Sequence, residues 1–154
     1  MNRNTRLFFD ASVLVSAAYS PYGGSARLVR LCELRLFVSL SSVLVLDETE
    51  RALRQSFPPA ALRHYETFLR TVLWIVLDVP HSQLLTRCMS IIHMDDAHVL
   101  ASALEARADF LLTLDQKHFF TDAIRQASLP LIILTPGQFI QQHLPNHEEY
   151  PLSV

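Results

Sequence analysis

The sequence predicts a single α/β domain built on a parallel sheet of four to five strands, with helices on both faces. Three observations lead there. Short apolar runs alternate along the chain with longer segments whose apolar residues recur at helical spacing. The 154 residues are half hydrophobic, enough for one domain with a full core. No apolar run approaches the roughly 18 residues needed to span a bilayer, and the polar opening "MNRNTRLFFD" lacks the apolar stretch of a signal peptide. The expectation is a cytoplasmic protein with no membrane partner.

Taken in order, "TRLFFD" (5–10) reads as a buried strand and "ASVLVSAAYS" as the helix after it. "PYGG" is a loop. "SARLVRLCEL" is a helix with Ser25 as its expected N-cap, and "LFVSL" is a second strand. "SSVLVLDETERALRQSF" places Val45, Leu46, Thr49, Ala52 and Leu53 on one helical face and is stopped by Pro58 and Pro59. A further amphipathic helix, "PAALRHYETFLRTVL", leads to the strand "WIVLDV". Two helices follow, "HSQLLTRCMSII" and "DDAHVLASALEARA", and then the strand "DFLLTL". "QKHFFTDAIRQAS" reads as one helix, "LPLIIL" as the last strand, and "TPGQFIQQHL" as a closing helix with Pro136 in its first turn. The domain is expected over 1–144, with 145–154 a loose tail.

Composition excludes several function classes. The formal charge of −2 argues against a basic nucleic-acid coat protein. The cationic residues are almost all arginine, Lys117 being the single lysine, and arginine suits bidentate phosphate contacts. Cys32 and Cys88 fall in apolar helical contexts, as buried free thiols in a reducing compartment. The three glycines make neither a dinucleotide fingerprint nor a phosphate loop. Seven histidines include no HExxH pair, and Ser12 has no GxSxG elbow around it. Trp74 and the phenylalanines read as core.

The acids carry the functional reading. Open α/β sheets bind ligands beyond the carboxyl ends of their strands, at the point where strand order reverses. Asp10 ends the first strand, Asp115 follows a later one, Asp96 opens the helix feeding that later strand, and Glu48 lies in the first half of its helix. Gathered carboxylates repel, and burial penalises their charge. A hard divalent cation such as Mg²⁺ or Mn²⁺ removes that penalty, takes oxygen ligands and bridges to phosphate oxygens. Without these four acids the formal charge would be +2, so the net acidity is that of the candidate site itself. Singly, each acid has a plainer reading. Asp10 and Asp115 suit a strand end and a turn, and Glu48 a solvated partner for Arg51 or Arg54. Of the adjacent pair, Asp95 is expected to cap the helix and Asp96 to act as ligand. Asp78, Asp109 and Asp122 have no motif support.

"LFFDASVLVSAAYSPYGGSARLVRL", "SSVLVLDETERALRQSF", "MDDAHVLASALEARADFLLTLDQKHF" and "LIILTPGQFI" together resemble a PIN domain, most of all the toxin components of bacterial toxin–antitoxin pairs. The likeness spans about residues 5 to 142. It implies the PIN fold and a homodimer. The implied activity is endoribonuclease cleavage dependent on Mg²⁺ or Mn²⁺, with an RNA substrate and a cognate antitoxin protein as partners. It assigns catalytic and metal-holding roles to Asp10, Glu48, Asp96 and Asp115, with Asp47 and Glu50 as rivals for Glu48. Ser12, in the D-x-S pattern, and Thr113, in T-x-D, become supporting hydrogen-bonding residues. Arg27, Arg51 and Arg54 become the candidate RNA-backbone contacts. Two positions depart from the pattern. Ser12 stands where asparagine is common, and Asp115 is followed by Gln116, Lys117 and His118 instead of a further acid. A non-catalytic PIN-fold module that binds RNA or protein is the alternative.

Overall fold

The computed structural model describes residues 1–151. Five parallel strands form one sheet: β1 (Arg6–Phe9), β2 (Val38–Ser42), β3 (Trp74–Leu77), β4 (Phe110–Leu112) and β5 (Ile132–Leu134), in the order β3-β2-β1-β4-β5. The chain steps outward from β1 to β2 and β3, then crosses back to place β4 on the other side of β1. Parallel crossovers are right-handed, so reversing the direction of travel moves the helices to the other face. One face accordingly carries α1 (Ala11–Tyr19), α2 (Gly24–Glu33), α3 (Val43–Ser56) and α4 (Pro59–Thr71), which pack on one another. The other takes α5 (Ser82–Met89), which packs on α6 (Ala97–Glu105), and the short α7 (Gln116–Phe119) and α8 (Asp122–Gln126). The closing helix α9 (Pro136–Gln142) returns to α2.

The core explains this order. β1 and β4 are central and read as unbroken apolar runs because both of their faces are covered. Leu7, Phe8, Phe9, Leu111 and Leu112 are all fully buried. The edge strand β3 is different: Ile75 and Val76 stay exposed, while Trp74 packs edge-on against Phe9 at 5.4 Å.

Local differences from the sequence reading have physical causes. β2 runs two residues beyond the apolar stretch because its serines are buried and bonded. Ser41 donates to the Phe9 carbonyl at 3.1 Å, and Ser42 caps α3 through the Val45 amide. Ser25 does not cap α2: the helix begins at Gly24 behind Gly23, with no side-chain cap. The single helix expected after Gln116 is two, because the Thr121 hydroxyl accepts from the Ile124 amide and restarts the turn. Asp95 does not cap α6 either: Asp96 holds the N-cap position, and its side chain makes no capping bond.

The segment expected to be loose docks as far as it is described. His147 is buried against Phe37, with Nε2 3.0 Å from the Leu36 carbonyl. Glu149 holds the Arg3 guanidinium with two bonds. Residues 152–154 lie outside the described residues. Among the described residues, no helix is long and apolar enough to cross a membrane.

Candidate functional site

The reversal of strand order falls between β1 and β4, and the crevice beyond their carboxyl ends is where such sheets bind ligands. β1 ends at Phe9, so Asp10 stands at this crevice and also N-caps α1. Its Oδ1 accepts from the Ala11 amide at 2.7 Å. Its Oδ2 accepts from two hydroxyls, Thr113 Oγ1 at 2.6 Å and Ser12 Oγ at 3.1 Å. Neither hydroxyl is free to turn away. Thr113 Oγ1 accepts from the Asp115 amide at 3.1 Å, and Ser12 Oγ from the Leu114 amide at 3.0 Å. With their lone pairs engaged by amides, both hydroxyls direct their protons at Asp10. Burial pushes the Asp10 carboxyl above its ordinary value, and these three bonds pull against that rise.

Asp115 follows β4 and N-caps α7 with Oδ1, which accepts from the His118 amide at 3.2 Å. Its Oδ2 takes no part in the cap and meets the His118 ring instead. It lies 2.8 Å from His118 Nδ1, and the same nitrogen is 3.2 Å from Asp96 Oδ2. Burial first, and then the charges of Asp115 and Asp10, push Asp96 up, while His118 and His93 pull it down. Glu48 is exposed on α3; partial desolvation first, and then Asp10 and Asp96, push it up, and Arg51 lowers it. Asp10, Asp96 and Asp115 thus act on one another, and Glu48 feels Asp10 and Asp96, although the four come from four separate segments. Asp95, by contrast, is largely exposed.

The rivals of Glu48 point elsewhere. Glu50 pairs with Arg54 at 3.0 Å across one helical turn. Asp47 acts on Tyr65, whose hydroxyl bonds the Leu46 carbonyl. Among the basic residues, Arg51 is near enough to influence Glu48, and Arg54 is committed to Glu50. Arg27 sits half-buried on α2. A groove of about 350 Å³, lined by His93, Lys117, His118 and Thr121, adjoins the acids.

The sequence reading missed His118 as a member of the cluster. One donor atom each from Asp96, Asp115 and His118 lie within 4.8 Å of one another. The signal was present: Asp115 and His118 are three apart at a helix start, which brings their side chains onto one face. His98 was also passed over. Its Nδ1 is buried without a partner among the described residues, and burial holds the ring below its ordinary pKa.

The donor set fits a divalent cation. Carboxylates that burial and mutual charge push toward protonation are relieved by positive charge placed among them.

A family model described as PIN domain matches residues 6–117. No curated protein matches the chain. Several solved structures share its fold. VapBC2 from Rickettsia felis, bound to a DNA fragment from its promoter, aligns with 16% identity and a TM-score of 0.63 over 84% of this chain and 97% of that one. VapC20 from Mycobacterium tuberculosis, described as a sarcin–ricin-loop-cleaving toxin, aligns with 20% identity and a TM-score of 0.52 over 80% and 95%. FitAB bound to an IR36 DNA fragment aligns with 14% identity and a TM-score of 0.57 over 84% and 94%.

Proposed function

We propose, from the premise that this chain belongs to the PIN-domain family, that it is a divalent-cation-dependent endoribonuclease and the toxin of a toxin–antitoxin pair. One observation supports the reading: Asp10 and Asp115 stand at the strand ends on either side of the switch point, Asp96 and Glu48 feel their charge or each other's, and Asp10 accepts from two hydroxyls. Four convergent acids are costly to hold together for structure alone.

Asp10, Glu48, Asp96 and Asp115 would hold Mg²⁺ or Mn²⁺. Such a cation supplies activation of water and neutralisation of the charge that builds on phosphate during hydrolysis. The residues of the chain do the rest. Thr113 and Ser12 fix the Asp10 carboxylate and oppose the rise that burial gives its pKa. Asp115 spends one oxygen on its helix and offers the other to the crevice. Arg51, with Lys117 in the adjoining groove, supplies positive charge for the RNA backbone. Water adds to phosphorus and the 3′ oxygen leaves with a proton, giving 5′-phosphate and 3′-hydroxyl ends.

The partner reading draws on the neighbours named VapBC2 and FitAB and on the toxin VapC20. A small antitoxin that places an Arg or Lys among the acids would block them by substituting for the cation. A homodimer working in the cytoplasm belongs to the same proposal.

The test is cleavage of a short single-stranded RNA with Mn²⁺ or with chelator, for wild type and Asp10→Asn. Cleavage that needs the cation and falls about 100-fold or more in the variant supports the reading. RNA binding without cleavage under every condition makes the chain a binding module. Products with 2′,3′-cyclic phosphate ends reject direct hydrolysis.

A further inference from the structure

We propose that His118 is a direct nitrogen ligand of the cation held by Asp96 and Asp115, and that it biases this centre toward Mn²⁺ over Mg²⁺. The inference rests on the cation-dependent reading above and goes beyond it, because the acids alone specify an all-oxygen site.

The argument is one of position. His118 Nδ1 lies 2.8 Å from Asp115 Oδ2 and 3.2 Å from Asp96 Oδ2. Neighbouring donors at right angles around a small divalent cation are about 3 Å apart, given metal–oxygen distances near 2.1 Å. Both distances from Nδ1 are thus those of adjacent donors in one coordination shell, and one donor atom from each of the three residues lies within 4.8 Å of the others. Asp96, Asp115 and His118 would together hold the cation.

The ring is also held there. The His118 amide is tied to Asp115 Oδ1 at 3.2 Å, and the imidazole lies against the His93 ring at 5.2 Å between centroids. His93 is itself positioned by the Asp95 amide, which donates to its Nδ1 at 3.2 Å. Ligation would use the neutral tautomer with its proton on Nε2, which leaves the Nδ1 lone pair for the cation. Both ions take oxygen ligands, but Mn²⁺ gives up a water to an imidazole nitrogen more readily than Mg²⁺, which demands near-ideal oxygen geometry and dehydrates reluctantly. A mixed nitrogen–oxygen set therefore separates two ions that four carboxylates would treat alike.

The experiment uses full-length protein stripped with chelator and reloaded with Mn²⁺. Pulsed electron paramagnetic resonance reads nitrogen-14 coupling from a bound imidazole. Titration of free Mn²⁺, alone and against Mg²⁺, reads affinity. Wild type should show the nitrogen coupling, and His118→Gln should lose it. The Mn²⁺ affinity of His118→Gln should fall about tenfold or more, while Mg²⁺ affinity changes less than about twofold. His118→Asp should bind Mn²⁺ without nitrogen coupling and favour Mg²⁺ more than wild type does. Mn²⁺ bound to wild type without nitrogen coupling overturns the inference, as does coupling that survives in His118→Gln. Either result leaves the nuclease reading standing if Asp10→Asn still abolishes cation-dependent cleavage. Failure of wild type to bind Mn²⁺ at all removes both.

Discussion

Thr113 and Asp10 are neighbours across β1 and β4 despite their distance in sequence, and the threonine hydroxyl donates to the buried carboxylate at 2.6 Å. Thr113→Val keeps the shape and deletes the donor. The carboxyl, already raised by burial, then rises further, because this bond is the largest influence lowering it. The expected outcome is a loss of about 1–2 kcal/mol of stability with the cation present, where Asp10 must stay ionised. The acid limb of the cleavage-versus-pH profile should move to higher pH. Thr113→Ser, which retains the hydroxyl, should restore both. Denaturant melts and a pH–rate series make the comparison.

Asp96→Asn separates charge repulsion from catalysis. Burial, Asp115 and Asp10 hold Asp96 above its ordinary value near 3.8, so folding favours its protonated form. In metal-free protein its charge costs stability above the folded-state pKa and costs nothing below the unfolded one. Asp96→Asn should therefore match or exceed wild-type stability at neutral pH, by up to about 1 kcal/mol after solvent screening. That advantage should vanish as the pH falls toward 4. Cleavage and the stabilisation given by Mn²⁺ should both collapse in this variant. Asp95→Asn should change neither, since that carboxylate is largely exposed. Thermal melts across pH, with and without Mn²⁺, decide the matter.

Glu48→Gln should reduce cleavage roughly 100-fold. Asp47→Asn and Glu50→Gln should stay within about threefold, because Asp47 is exposed and has no influence on the acids of the cluster, and Glu50 is bound to Arg54. Equal losses at all three positions would show that the helix, and not one carboxylate, sets activity.

Arg51→Gln should weaken RNA binding and lower the slope of log affinity against log salt by about one. Arg54→Gln should leave the slope unchanged, and should cost no more than about 0.5 kcal/mol of stability through its exposed pair with Glu50. Binding isotherms at several salt concentrations test both.

The alternation of strands and helices was legible because burial on both faces leaves Leu7–Phe9 of β1 and all of β4 apolar. "WIVLDV" reads the same way, yet β3 lies at an edge with Ile75 and Val76 exposed. Apolarity alone does not report whether a neighbour exists. β2 ran past its apolar stretch because Ser41 and Ser42 find backbone partners that only the assembled sheet supplies. Asp10 and Asp115 were legible from their places at strand ends. The adjacent Asp95 and Asp96 invited a cap and a ligand, and the structure gives α6 no side-chain cap from either. His118 was visible only as the absence of an acid. Its value lies in two distances to carboxylates on different segments, and no spacing in the sequence encodes the second of these.

The pairing of β1 with β4 also sets a clock on synthesis. Asp10 leaves the ribosome about a hundred residues before Asp115, a delay of roughly 5–20 seconds at ordinary elongation rates. Until then β1 has no β4 beside it, and Asp10 lacks the Thr113 proton that steadies its charge. Asp96 and Asp115 arrive together and late. A growing chain therefore carries its first acid through about a hundred residues of synthesis without the partners that complete the cluster. Under the nuclease reading, the nascent chain would lack its full set of acids until Asp115 is made and β4 has paired with β1.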